Sequence, residues 1–265
     1  MSAAIEFLNS DDLGAARAML QDRVKAKPSH VGHRFELAEL LLVLGEWERA
    51  DNQFDLIATQ DLAYGLRVAL IRQLIRGELA RREVFAEGRT PDLIGDATAE
   101  VEAALKVLLE LRTEGDPAAV REAADLAATP LVGTIDGRPF VGVRDLDDRT
   151  AGVLEVLTST GKYFWIPWAS VRSLELKAPE HLRDLIWRPA ELDVVDGPDG
   201  VVYIPTTYVA PEADKSAAHR LGRQTDWIDE RGVVRGVGLR CLLVGDDVVS
   251  LAEFSDLSLE GTETS

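Results

Sequence analysis

Leu13-Gly14-Ala15-Ala16-Arg17-Ala18-Met19-Leu20 and Trp47-Glu48-Arg49-Ala50-Asp51-Asn52-Gln53-Phe54 decide the reading of the first half of the chain. Leu13 matches Trp47, Ala16 matches Ala50 and Leu20 matches Phe54, each pair 34 residues apart. That is the spacing of tetratricopeptide-type helical hairpins. The residue types suit the geometry. A small residue at Ala16 and Ala50 lets two helices approach closely, and a large apolar one four positions later fills the gap between hairpins. Leu37, Ala38 and Leu41 then mark the first helix of a complete repeat, Gly45-Glu46 its turn and Trp47 to Ala58 its second helix. Pro28 falls between repeats, where it stops the preceding helix.

Outward from this repeat, a longer helix is expected from about Leu62 to Ala86. Leu66, Leu70 and Leu74 lie four apart, and Ile71, Ile75 and Leu79 continue an adjacent stripe. Gly88 and Pro91 end it. Val101, Leu105, Leu108 and Leu111 mark another helix, and Ala118 to Ala128 reads as a short alanine-rich one after the Gly115-Asp116-Pro117 turn. Stacked hairpins form a solenoid, a surface that commonly receives a peptide or helix.

At Thr129-Pro130 the composition shifts. Glycine and valine rise, and four of the five tryptophans follow. Ile135-Asp136-Gly137-Arg138 reads as a hairpin turn between two strands. Val153–Leu157, Lys162–Pro167, Val171–Leu176, Leu185–Val195 and Val201–Ile204 are further strand candidates, the last two flanking Asp196-Gly197-Pro198-Asp199-Gly200. Glu212 to Leu221 reads as a short helix, followed by strands at Thr225–Asp229, Gly236–Val244 and Val248–Leu251. The expected fold class is therefore α+β: a tetratricopeptide-like α-helical domain at 1–130, then a compact, mostly antiparallel β-rich domain at 131–265.

Lys plus Arg is 29 and Asp plus Glu is 46, a net charge of −17 shared by both halves. Such a surface argues against nucleic acid, whose phosphates need cations, and against anionic membranes. No apolar run reaches the roughly 18–20 residues that span a bilayer. Met1 to Asp12 lacks a basic segment followed by an apolar core, so no signal peptide is read there. One cysteine, Cys241, excludes an intrachain disulfide, and a cytoplasmic setting is expected.

Signals for catalysis are weak. His30 and His33 stand three apart without the further ligands zinc needs, and read as helix-capping residues. There is no nucleophile elbow and no glycine-rich phosphate loop; Gly232 to Gly238 reads as a bulged strand. Cys241 lies in an apolar run and reads as a buried thiol. Asp145, Asp147 and Asp148 license no acid–base assignment in so acidic a chain. Two features suggest binding instead. Arg67, Arg72, Arg76, Arg81 and Arg82 give the long helix a basic face, interleaved with Glu78 and Glu83. Tyr163, Phe164, Trp165, Trp168, Trp187 and Trp227 are either core or a recognition patch.

Six segments taken together resemble the ImpE (TagJ, or SciE-type) accessory proteins of bacterial type VI secretion systems. They are Leu44–Ala50, Arg82–Ala86 with Arg89-Thr90-Pro91, Gly133–Gly137, Gly161–Pro167, Leu182–Ala190 and Gly222–Trp227. Their order and spacing cover about Asp11 to Leu257. One departure is Glu87, where the family runs from Ala86 straight to the glycine. The resemblance implies a non-enzymatic, cofactor-free cytoplasmic protein. It also implies binding to the N-terminal helix of the sheath small subunit TssB, and modulation of sheath assembly or of recycling by the ClpV ATPase.

The candidate partner surface is the solenoid or its junction with the β-rich half, around Trp47, Phe54, Arg67, Arg72, Arg76 and Arg82. The alternative surface lies around Trp165, Trp187, Arg223, Asp226 and Trp227. Two rival expectations are an unrecognised hydrolase-like site around His181, Asp184 and Arg223, and a purely structural scaffold whose groove its own chain fills.

Overall fold

In the computed structural model, residues 12–116, 121, 125 and 130–260 are described. The alanine-rich helix expected over 118–128 lies outside them, save for Arg121 and Asp125, as do the first eleven residues and 261–265.

Local signals set the helices. α1 (Leu13–Ala26) starts at Asp12, whose carboxylate accepts a hydrogen bond from the Ala15 amide at 2.8 Å. α2 (Val31–Val43) starts at His30, whose Nδ1 accepts from the His33 amide while the two imidazoles stack at 3.8 Å. Gly45 turns the chain at φ +75° into α3 (Trp47–Gln60). Ala16, Leu20, Ala38, Leu41, Ala50 and Phe54 are all buried, so the 34-residue period marks helix-packing positions.

A 3₁₀ turn (Leu62–Tyr64) leads into α4 (Gly65–Glu87), which Gly88 ends in the left-handed region. The expected stripe on α4 is only partly inward. Ile71, Leu74 and Ile75 are buried, whereas Leu66 and Leu79 are exposed. Steps of four residues advance about 400°, so each step drifts about 40° around the helix. The row Leu66–Leu70–Leu74 thereby runs from solvent into the core. α5 (Ala99–Thr113) follows.

The strands are β1 (Val132–Ile135), β2 (Arg138–Val141), β3 (Val143–Asp145), β4 (Val153–Leu157), β5 (Tyr163–Pro167), β6 (Val171–Leu176), β7 (Trp187–Val194), β8 (Asp199–Pro205), β9 (Thr225–Glu230), β10 (Val233–Gly238), β11 (Cys241–Val244), β12 (Asp247–Ser250) and β13 (Asp256–Leu259). Eight form an antiparallel sheet in the order β2-β1-β13-β6-β7-β8-β4-β5. β12-β11-β3 form a second sheet, and β9 pairs with β10. The Asp136-Gly137 turn has positive φ at both residues, the hairpin geometry its sequence indicates. The long strand expected over Gly236–Val244 is two strands. Gly238 bends the chain at φ +95°, and a Cβ there would lie 2.1 Å from the Gln224 carbonyl oxygen. The Gly232–Gly238 segment is not bulged, since β10 pairs with β9 in unbroken register. The helix expected at Glu212–Leu221 shrinks to a 3₁₀ turn and α6 (Ala217–Arg220).

Both faces of the large sheet are covered at its centre. Val153, Leu157, Tyr163, Trp165 and Trp187 join one apolar cluster with the helices. Leu154, Val156, Ile166, Leu174 and Leu192 join another with Leu242, Val244, Val249 and Leu251 of the smaller sheet and its flank. β4 is buried at every position, as a strand between two layers must be.

Candidate functional site

The seam between helices and sheet is ionic at its centre. Alternation along β4 turns Val153, Glu155 and Leu157 toward the helices, so the middle side chain of this face is a fully buried carboxylate. Arg81 of α4 meets it bidentately, with Nε donating to Oε1 at 2.7 Å and Nη2 to Oε2 at 3.1 Å. Arg81 Nη2 also donates to the Thr207 carbonyl at 2.9 Å. Arg240, between β10 and β11, contacts Glu155 from its other side and stands 3.4 Å from Asp145. The Tyr163 hydroxyl donates to Glu155, and the Trp165 indole N–H donates to that hydroxyl. Burial raises the Tyr163 hydroxyl well above its ordinary value, so it stays protonated as the donor.

Burial pushes the Asp145 carboxyl up to about 6, against the pull of Arg240, and lowers the Arg240 guanidinium to about 10. Burial alone would raise Glu78, but the charges of Arg81 and Arg82 hold it below its ordinary value.

Around this centre, separate chain segments are tied to the helical hairpins. Arg183 pairs with Glu39 of α2 at 2.5 Å, and Arg220 donates to the Leu44 carbonyl at 2.7 Å. Arg82, Lys215 and Arg220 converge on Glu212, at 3.1, 3.4 and 2.5 Å. Glu212 itself rests against Gly45, where a Cβ would stand 2.8 Å from its carboxylate. Burial and the neighbouring Arg82 lower the Lys215 ammonium to about 8. Trp47 stacks on Trp187 at 5.7 Å, with the Arg82 guanidinium 4.9 Å from the Trp47 ring centre. The cavity these residues line measures only about 20 Å³, room for one water-sized group.

The structure sorts the sequence candidates by environment. Phe54, Trp165 and Trp187 are buried in the shared core and present no surface. Trp47 is half-buried in the seam. Arg72 is held by Asp51 at 2.8 Å and Asp55 at 2.7 Å on α3, and Arg82 by Glu78 and Glu212. Arg67 is exposed, with its guanidinium 5.7 Å from the Phe35 ring centre, and Arg76 is exposed. In the second group, Arg223 and Asp226 are exposed beside α6, and Asp226 Oδ2 lies 3.2 Å from His219 Nε2. Trp227 is 43% exposed and packs edge-on to Tyr208.

Around the suspected hydrolase-like site, the Asp184 carboxylate accepts the backbone amides of Glu180 and His181 and so caps its own turn. Asp147 and Asp148 likewise organise loops: Asp147 pairs with Arg149 at 2.5 Å and accepts the Gly236 amide, and Asp148 accepts the Val234 amide.

Sequence reasoning passed over Glu155, Arg240 and Glu39. The available signal was a charged residue inside an apolar run, as in Val153-Leu154-Glu155-Val156-Leu157. A lone buried charge is untenable without a partner.

No group of three or more metal-ligating side chains occurs among the described residues, and no helix there is long and apolar enough to cross a membrane. A helical-hairpin array fused through a buried ionic seam to an antiparallel β-rich unit defines the class of protein. The same architecture occurs in the crystal structure of protein VPA1032 from Vibrio parahaemolyticus, with a TM-score of 0.89 and 28% identity across 99% of both chains. The ImpE protein family model matches residues 137–258. The type VI secretion system accessory component TagJ of Pseudomonas aeruginosa is 36% identical over 262 residues, 98% of this chain and 92% of that protein. The chain belongs to this ImpE/TagJ family of type VI secretion accessory proteins.

Proposed function

We propose that the chain is a non-catalytic adaptor in the cytoplasm that binds the N-terminal helix of the sheath small subunit TssB. Through that contact it modulates sheath assembly or recycling by ClpV, to which its link is indirect. One observation carries the choice of surface. Leu62 and Leu66, at the start of the long helix, are 89% and 91% exposed. Two leucines this bare, one in the 3₁₀ turn and one in the first turn of the helix it leads into, mark a binding edge. Arg67 follows Leu66 directly and is exposed beside it, whereas Arg76 stands about 15 Å further along the helix, next to Gly161 of the β4–β5 turn. The inner face of the helices already holds the protein's own Tyr163, Trp165 and Trp187, which leaves the outer end for a partner.

The test is titration of a labelled peptide of the sheath subunit's first helix into the full chain. Saturable binding is expected, weakened at least tenfold by Leu62→Glu with Leu66→Glu and several-fold by Arg67→Glu. No saturation at high micromolar peptide sinks the proposal, and binding lost only in Trp227→Ala moves the site to the β-rich half.

A further inference from the structure

The chain carries a second uncovered apolar surface, which the sequence did not single out and the helix-binding proposal does not use. Beyond the reach of the smaller sheet, the outer ends of β4, β5, β7 and β8 enclose an apolar groove of about 270 Å³. Its floor is Val156, Ile166, Leu192 and Val194, all buried; Phe164 and Val202 form half-buried walls. Its rim is Ile94, 39% exposed; Val201, paired with Glu191, turns its side chain to the opposite face. The backbone of Asp92 anchors the Ile94 side: its amide donates to the Tyr163 carbonyl at 2.8 Å, and its carbonyl accepts from the Trp165 amide at 3.1 Å. The groove is therefore bounded by a strand edge and the β7–β8 turn.

Around that turn lies a second groove of about 560 Å³ and opposite character. Glu175, Glu191, Asp193, Asp196, Asp199 and Asp256 line it, with Arg172 as its one cation. Leu192, Val194, Asp199 and Gly200 border both grooves. Alternation along β7 explains the pairing: Leu192 and Val194 point to one face, Glu191 and Asp193 to the other. Arg172 answers Asp193 at 3.4 Å, whereas Asp196 and Asp199 have no ion pair among the described residues. The net charge of −17 adds a long-range field of the same sign.

We infer that the apolar groove and the β7–β8 turn beside it, where the two faces of the sheet meet at Asp196 and Asp199, receive an extended segment of a partner protein with one or two apolar anchor residues followed closely by Lys or Arg. The apolar groove has the size for aliphatic anchors, which exclude water from its floor. The carboxylates around the turn then select cations over neutral or acidic side chains and speed the encounter. This site is separate from the leucine edge of the long helix, and the two stand or fall independently.

The probe is a labelled peptide Ile-Leu-Gly-Lys-Arg-Lys, with Ile-Leu-Gly-Gln-Gln-Gln as its neutral counterpart, titrated into the full chain by fluorescence anisotropy. The expected results are saturable binding to the wild type, at least tenfold weaker binding to Ile94→Glu, and no change in Leu62→Glu with Leu66→Glu. Asp196→Asn with Asp199→Asn, which keeps the turn geometry, should weaken binding several-fold and flatten its salt dependence. Three results overturn the inference. One is no saturation by about 1 mM peptide. Another is equal affinity for the neutral peptide, or for the Ile94→Glu variant. The third is a dimer in sedimentation that Ile94→Glu disrupts, which would assign the groove to a second copy of this chain.

Discussion

The two ends of the long helix live in different environments. Toward its C-terminus, Glu78 and Arg81 are buried, Gly77 touches the β4–β5 hairpin, and Val84 lies in the shared core. Toward its N-terminus, Leu62 and Leu66 are bare, and a Cβ added at Gly65 would meet open space. One continuous element thus serves as a keel for the fold at one end and a free edge at the other. The buried end holds charge and the exposed end holds leucine, the reverse of the usual partition. Buried charge is stable here because Glu155 is shared by two guanidiniums and a phenol.

The largest test of this contrast is Glu155→Gln, which leaves Arg81 and Arg240 without their common anion. Breaking a buried pair in this way costs about 3–5 kcal/mol. Urea unfolding should register that loss as a lower midpoint, and a loss below about 1 kcal/mol would show that apolar packing alone holds the seam.

Asp145 tests the same region by pH. Burial pushes its carboxyl in the folded chain up to about 6, from an ordinary value of 3.8. Between those values the folded state keeps a proton that the unfolded chain has released. Stability therefore falls as pH rises from about 4 to about 6, by roughly 2–3 kcal/mol from this group. Asp145→Asn should remove that component from the pH dependence of unfolding. An identical profile in the variant would place the titration elsewhere.

Two glycines on the one helix compare its ends directly. A Cβ at Gly77 would stand 3.0 Å from Leu157 Cδ2 and 3.4 Å from the Lys162 carbonyl oxygen. Gly77→Ala should therefore cost about 1–3 kcal/mol through overpacking. Gly65→Ala meets open space and should stabilise by roughly 0.5–1 kcal/mol. Thermal unfolding should move in opposite directions for the pair, and a shared sign would erase the distinction. The smallest expected effect is that of Leu62→Glu with Leu66→Glu on stability, within about 0.5 kcal/mol, since neither side chain is packed. A larger loss would mean that the leucines support the fold rather than wait for a partner.

Much of the framework was legible because it is local. The small-residue period at Ala16 and Ala50, the Gly45 and Gly88 stops and the Asp136-Gly137 turn all act within a few residues, where sequence and geometry coincide. The strand over Val153–Leu157 was legible from its apolar run. Its most consequential residue, Glu155, was not, because its partners Arg81 and Arg240 lie 74 and 85 positions away. The arginines of the long helix looked alike in sequence. The third dimension paired Arg72 with α3, buried Arg81 against β4, bound Arg82 to Glu212 and left Arg67 and Arg76 exposed.

The sequence alone determined the α+β class, the hairpin period, the acidity and, through six motifs, the secretion-accessory family. Tertiary structure alone decided which aromatics are core, which charges are buried and which leucines remain bare. The reason is range. Propensity, capping and periodicity are properties of neighbours along the chain, whereas burial and ion pairing depend on which distant segments meet.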